Sequence, residues 1–354
     1  MVKALVDVQL KECIDKKYLA AQSDLYKCVQ PASIDLPLSD TAYLVKEKIL
    51  PFEKKISEVI KSATLEKLSL RKGALLLKGQ TYLVPCISVE LPTQYYAALS
   101  PKSSIGRIDV MVRGVFDGIG LYDTIPVGGK GNIWLEITPQ SFNIFVKEGI
   151  TLSQMMIFDT SREAYLDFSK ELIIYSNQGH AVKPTLYKDK VVLSVDLIGE
   201  VIGYEAKVTN EVLDLSQNGV HNPQSFFKEL ETNEHGKITL EKDKFYILAT
   251  KEKIAVPTSH SAEMIPFSHL VGELRAHYAG FFDPGWGYGR EGEVKGTIAV
   301  LEVRPHETIT IFDGQPICLM EYFVNTQVPQ NPYGFSGNHY HTQRGPQLAK
   351  YFKK

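Results

Sequence analysis

Cysteine is scarce in this chain, at four among 354 residues. Cys13, Cys28, Cys86 and Cys318 lie far apart and form no CxxC pair, so neither a disulfide framework nor a zinc cluster is indicated, and a reducing cytoplasm is the expected setting. A surplus of one charge is also lacking. With a net charge of −2 and no basic run or heptad, the chain carries no footprint for nucleic acid, and an anionic ligand has to meet a local cationic pocket. No apolar run approaches the length of a membrane span, and the N-terminal MVKALVDVQLKECIDKK has no apolar core of the kind that directs export. A soluble, unexported protein with no membrane partner is expected. Helical periodicity is weak: its best stretch runs from Thr41 to Ala63, interrupted by Pro51, with a further turn about Pro223 to Leu230.

What is present is β-forming. Short runs of β-branched and aromatic residues recur, among them TYLVPCISVEL, NIWLEI, KVVLSVDL, TIAVLEV and ICLMEYF, punctuated by Gly, Pro and Asp. Such runs predict a mainly β, largely antiparallel architecture with a few short helices. With 44% hydrophobic and 23% charged residues the chain is globular, and its length suits about two domains.

The second half echoes the first at a nearly constant offset. LPTQYYAALSP matches VPTSHSAEMIP, with Pro92 and Pro257 separated by 257 − 92 = 165 positions. After a one-residue insertion, IGRIDVMVRGVFDG runs beside VGELRAHYAGFFDP and WLEITP beside VLEVRP, so that Glu136 meets Glu302 at 302 − 136 = 166. Duplication of one β domain is the economical reading, with domains over residues 1–175 and 176–354. The differences between the copies are informative. Arg107 of the first answers to Glu273 of the second, and the bulky cation Arg113 answers to the small Ala279.

PKSSIGR, Pro101 to Arg107, crowds two cations, two hydroxyls and a glycine behind a strand-like run. Two readings are open: an ordinary polar turn, or a site that holds a phosphate chain. VGGKGN (127–132) is a weaker phosphate signal, without Walker spacing or a following helix, and reads as a hairpin turn. DPGWG is either a turn with Trp286 plugging the core or a wall beside a bound base.

Taken together, QPASIDLPL (30–38), PKSSIGR, AGFFDPGWG (279–287) and VLE (300–302) resemble the dCTP deaminase branch of the dUTPase-like superfamily, in its long, duplicated form. The resemblance implies tandem distorted β-barrel or jelly-roll domains, a homo-oligomer or pseudo-oligomer, and zinc-independent hydrolysis of dCTP to dUTP and ammonia at a site between neighbouring domains. It implies catalytic roles for Ser103, Arg107 and Glu302, with Ala279 offering its carbonyl to the attacking water. Lys102 and Ser104 fall beside the phosphates, Asp283 on the sugar, and Val300 and Leu301 on the substrate. In the tail NPYGFSGNHYHTQRGPQ, Tyr333 and Gln343 match nucleotide contacts, and His339 stands where the family has a lysine. Ser268 of the second copy lacks an arginine partner and receives no role.

These residue types suit the chemistry. Water attacks C4 of cytosine only if a base takes its proton, and the amine leaves only if an acid supplies one. One carboxylate can do both. In TIAVLEV, Glu302 would be raised in pKa by burial and lowered by Arg107, two opposed effects. Its bland alternative is an edge-strand glutamate in solvent. The zinc deaminases pair H-x-E with P-C-x-x-C, and neither occurs here. His339 and His341 show no third ligand. Mg²⁺ is expected to arrive on the triphosphate rather than in a protein site. Alternatives to deamination alone are a dUTPase or a bifunctional enzyme, with Asp283 aiming water at phosphorus, and a nucleotide sensor on the same fold.

Overall fold

Side chains on a strand alternate between its faces, so a strand apolar at every position has to be covered on both sides. Thr297–Pro305 is covered on both sides in this way although it carries Glu302 and Arg304, and it is buried along its length except at Arg304. Its alternation divides it between two cores. Ala299, Leu301 and Val303 pack into a core formed within the second half, whereas Val300 joins the core centred on the first half. Glu302 and Arg304 share the Val300 face and therefore look toward the first half.

The computed structural model describes residues 2–161, 173–176, 178–231, 236–266, 274–276, 280–334 and 343–354, with the backbone alone for 274–276. It is mainly β, as the sequence predicts, with four short helices among the described residues. A six-stranded sheet in the first half runs Thr64–Ser69, Thr41–Val45, Thr81–Glu90, Lys130–Pro139, Val110–Phe116, with Leu19–Ala20 also paired to Thr81–Glu90; a second six-stranded sheet runs Phe227–Leu230, Gly203–Ala206, Tyr246–Ile254, Thr297–Pro305, Leu274–Ala276, with Ile174–Tyr175 also paired to Tyr246–Ile254. In each, the strand that carries the echoed glutamate, Glu136 or Glu302, lies between the same pair of neighbours in sequence order.

Two further sheets join the halves. In the ten-stranded sheet, Lys3–Ala4 is inserted between Thr151–Asp159, to which it is antiparallel, and Pro316–Asn325, to which it is parallel. In a three-stranded sheet, Val212–Asp214 runs parallel to Asn143–Val146. Phe142 of the first half meets Phe226 and Phe227 edge-on at 5.2 and 5.4 Å, and Phe352 from the tail closes on the same two rings. Such aromatic packing adds to the area buried.

Two expectations change. Thr41–Ala63 is not one interrupted helix: Thr41–Val45 is a strand and only Ile56–Ala63 is helical. TAYLV pairs with Thr64–Ser69 on one side and Thr81–Glu90 on the other, and those ladders outweigh its helical spacing. VGGKGN does form a turn, with Gly128 at φ +67°, but not a hairpin, because the strands flanking it belong to different sheets. Near Pro223 the turn is a capped one. The Asn222 side chain accepts from the Gln224 amide at 3.2 Å, and the chain leaves Phe226 as a strand.

Candidate active site

PKSSIGR folds as the end of the strand Tyr95–Pro101 followed by one short turn of helix, Ser103–Gly106. The turn brings Arg107 back over Ser103, whose Oγ accepts from Arg107 Nε at 3.1 Å. Arg107 is 3% exposed and joins three segments. Its Nη1 donates to the Gln347 carbonyl at 3.0 Å and its Nη2 to Gln343 Oε1 at 3.2 Å, both in the tail, and Nε lies 3.9 Å from Glu302 Oε1. Gln343 in turn donates through Nε2 to the Ile298 carbonyl.

Two glycines permit the halves to meet. A Cβ on Gly106 would lie 2.9 Å from the Glu302 carboxyl carbon, and one on Gly280 would lie 2.7 Å from the Pro101 carbonyl oxygen. Any other residue at either place would push the loops apart.

Around this contact is a pocket lined from the first half by Gln30, Asp35, Lys102, Ser103, Ser104, Arg107 and Gln154 and from the second by Gly280 to Asp283, Trp286, Val300, Tyr333, Gln343 and Lys350. PKSSIGR thus lines a pocket and is more than an exposed turn. Trp286 plugs the second-half core, 5% exposed and edge-on to Phe282 at 4.7 Å, and it also forms part of the pocket wall.

Glu302 sits behind Arg107, at the back of this wall. It is 1% exposed, and its Oε2 has no hydrogen-bond partner among the described residues. Burial pushes its carboxyl up to about 8 against the opposing pull of Arg107, so desolvation wins the contest left open by the sequence. Asp283 is likewise pushed by burial, up to about 7, although the Ala32 amide donates to it at 3.2 Å. Lys102 pairs with Asp35 and donates to Thr151 Oγ1 at 3.0 Å. Lys350 is lowered by burial and then by the like charge of Lys102, with Asp35 opposing.

Most of the sequence-predicted residues therefore converge: Lys102, Ser103, Ser104, Arg107, Asp283, Val300, Tyr333 and Gln343 all line the pocket, and Glu302 adjoins it. Leu301 does not belong with them. Its side chain points into the second-half core, because it occupies the opposite face of the strand from Val300 and Glu302. Ala279, His339, Glu273, Ser268 and His341 lie outside the described residues. Sequence reasoning missed Gln30, Asp35, Gln154 and Lys350 as pocket residues. Gln30 and Asp35 fall within QPASIDLPL, a signal at hand, whereas Gln154 and Lys350 are isolated polar residues with no motif of their own.

Comparison with known proteins agrees with this geometry. Residues 3–161 match the 2'-deoxycytidine 5'-triphosphate deaminase (DCD) N-terminal domain and residues 167–352 the C-terminal domain of the same enzyme. The chain belongs to the dCTP deaminase family. A crystal structure of 2'-deoxycytidine 5'-triphosphate deaminase from Agrobacterium tumefaciens superposes with a TM-score of 0.85 at 34% identity, covering 93% of this chain and 97% of that one. A protein named dCTP deaminase, dUMP-forming, from Methanospirillum hungatei is 26% identical over 194 residues, which is 52% of this chain and 97% of its own length. The dCTP deaminase fold is thus present along nearly the whole chain.

Proposed function

We propose that this enzyme hydrolyses the 4-amino group of dCTP, giving dUTP and ammonia, in a centre assembled from both halves of one chain. The observation that carries the reading is a buried carboxylate, Glu302, with one unpartnered oxygen, 3.9 Å from the buried guanidinium of Arg107 and adjoining a pocket rich in cations and hydroxyls.

In this reading Glu302 takes a proton from water as the water oxygen bonds to C4, and delivers it to N3. It then passes the second proton of that oxygen to the amine, the C4–N bond breaks, and ammonia leaves. A carboxyl raised to about 8 suits this exchange, since it gains and loses a proton near neutral pH. Arg107 balances the carboxylate whenever the proton is away. Ser103, held by Arg107, faces the reacting ring, and Ala279 offers its carbonyl to the water.

In this reading Lys102, Ser104 and Lys350 hold the triphosphate, which enters with its own Mg²⁺, and Asp283 holds the sugar; their common place in the pocket lining supports these roles. Asp35 holds Lys102 at the phosphate end until substrate arrives. Tyr333 and Gln343 lie in the tail and couple its docking to the filled site. No zinc takes part.

A second reading is favoured by one feature: Asp283 shares the pocket with Asp35 and Lys102 and is itself raised, so it is placed to direct water at phosphorus and yield dUMP with pyrophosphate. The relative named dUMP-forming points the same way. Incubation of the pure protein with dCTP and Mg²⁺ decides. dUTP with ammonia supports deamination alone, dUMP with pyrophosphate supports the bifunctional enzyme, and no turnover refutes both.

A further inference from the structure

Beside the pair Arg107 and Glu302, a second charged pair crosses the same contact. Asp109 lies two residues beyond Arg107, and Arg304 two residues beyond Glu302 on the same face of its strand. Asp109 is fully buried and is held in the left-handed region at φ +55°. Arg304 grips its carboxylate in a fork: Nε donates to Oδ1 at 3.3 Å, and Nη2 donates to Oδ2. Ser141 completes the grip, donating to Asp109 Oδ2 at 2.5 Å and accepting from Arg304 Nη2 at 3.1 Å. The other arm of Arg304 donates to the Asp243 carbonyl, so the arginine is fixed from its own half as well.

This arrangement has no counterpart at the echoed glutamate. The position that answers to Arg304 is Thr138, since 304 − 138 = 166, and Thr138 bonds to Thr81 of its own half at 2.9 Å. The first-half strand thus makes no such grip where no reacting pair has to be held.

We propose that Arg304 and Asp109 form a positioning clamp that fixes the Arg107 guanidinium against the Glu302 carboxylate across the contact between the halves. The contact it protects is loose: at 3.9 Å, Arg107 and Glu302 lack a hydrogen bond of their own, and nothing in that pair alone fixes the separation. The clamp lies one strand repeat beyond Glu302 on one side and two residues along a turn from Arg107 on the other. Its bidentate, buried geometry gives it the stiffness that the reacting pair lacks. Arg304 is therefore a positioning residue, acting through Glu302 and Arg107 without touching substrate.

Arg107 stays tied to Ser103, Gln343 and Gln347, so loosening the clamp lets the Glu302 end of the strand draw away from it, which weakens the influence that lowers the Glu302 pKa while burial still raises it. Among the described residues the Cys318 thiol, on the strand Pro316–Asn325 of the ten-stranded sheet, also feels Glu302, and burial keeps it neutral. The pH at which Glu302 becomes a base then moves upward.

The inference rests on the deamination reading, and the test keeps the two apart. Initial rates on dCTP across pH are compared for the parent, Arg304→Gln, Arg304→Lys, Asp109→Asn and the Arg304→Gln/Asp109→Asn double variant, with folding checked by thermal melting. Arg304→Gln is expected to lower kcat about tenfold or more while KM changes less than about threefold. The acidic limb of its kcat/KM profile is expected to rise by about half a pH unit. Arg304→Lys should recover part of both, and adding Asp109→Asn to Arg304→Gln should cost less than about twofold more, as for two ends of one interaction. A folded Arg304→Gln enzyme with parental kcat and an unmoved limb overturns the clamp, as do losses that multiply in the double variant. If Arg304→Gln does not fold, Arg304→Lys decides by the same kcat and limb. A parent that leaves dCTP unchanged overturns the deamination reading and the clamp with it.

Discussion

Glu136 and Glu302 occupy matching places in the internal echo of the sequence, and each is 1% exposed. Their surroundings differ. Glu136 is fully engaged within its own half: Tyr122 Oη donates to both its oxygens at 3.1 and 3.3 Å, and Lys48 Nζ lies 3.2 Å away. Arg113, directly across the ladder from it, pairs with Asp123 and lays its guanidinium over the Tyr122 ring at 4.5 Å. The face of its strand is covered by the helix Ile56–Ala63, which packs with Trp134. Glu302 keeps one oxygen unpartnered among the described residues, and its face is covered by the other half. A buried carboxylate with every partner supplied is a structural ion. One left incomplete beside a pocket has capacity for a proton and a water.

The contrast is broken most directly by substitution. Glu302→Gln should lower kcat for dCTP deamination by about a thousandfold, the scale of a lost acid–base group, while leaving dCTP binding measurable by calorimetry. Arg107→Ala should be comparably inactive. Near-parental turnover in either variant removes the assignment.

The pocket beside Glu302 should also distinguish itself by what it binds. Lys350→Ala is expected to raise KM for dCTP about tenfold and to change KM for dCMP much less, because the charge it offers is directed at the outer phosphates. Equal changes for the two nucleotides place Lys350 elsewhere in the site.

Stability against pH sharpens the comparison next. Glu302 has a folded pKa of about 8 against an ordinary 4.5, so the folded state holds the proton more tightly. That contribution is complete below the ordinary value and is lost as the pH climbs toward 8. Glu302→Gln is neutral throughout and escapes the loss. Its melting temperature should exceed the parent's by roughly 3 °C at pH 8, with the difference shrinking toward pH 5. Asp283 and Glu263, also raised by burial, titrate in both proteins and cancel. A pH-independent difference contradicts the buried, raised carboxyl.

The smallest effect is expected at the other glutamate. Glu136→Gln should keep kcat within about twofold, while lowering the melting temperature through loss of the ion pair with the half-exposed Lys48 and of a charge-assisted bond from Tyr122. A loss of turnover like that of Glu302→Gln reveals a second working centre.

Much of this site was legible because its signals are local. PKSSIGR is a contiguous run, and the echo placed VLE beside WLE, so the glutamate and its missing arginine could be compared position by position. Strand alternation puts Glu302 on the face opposite Leu301, a step available from the sequence that assigning Leu301 to the substrate beside Val300 overlooked. Gln154 and Lys350 were not legible, because each reaches the pocket only through long-range packing: one from the middle of the strand Thr151–Asp159, the other from a tail whose anchor, Phe352, is set by the distant rings of Phe226 and Phe227. Thr41–Val45 was misread for the same reason, its two strand partners being distant in the chain.

The short strand Lys3–Ala4 carries a consequence for biosynthesis. One of its edges pairs with residues 158 and 159, but its other edge pairs with residues 324 and 325. A chain emerging from the ribosome presents that second edge unsatisfied until nearly all of the sequence has been made. The first half is therefore an open-edged intermediate during synthesis, and the last strands to appear act as its cover. Slowing translation between the halves should lengthen the life of that exposed edge and favour aggregation, a vulnerability set by topology and independent of the chemistry at Glu302.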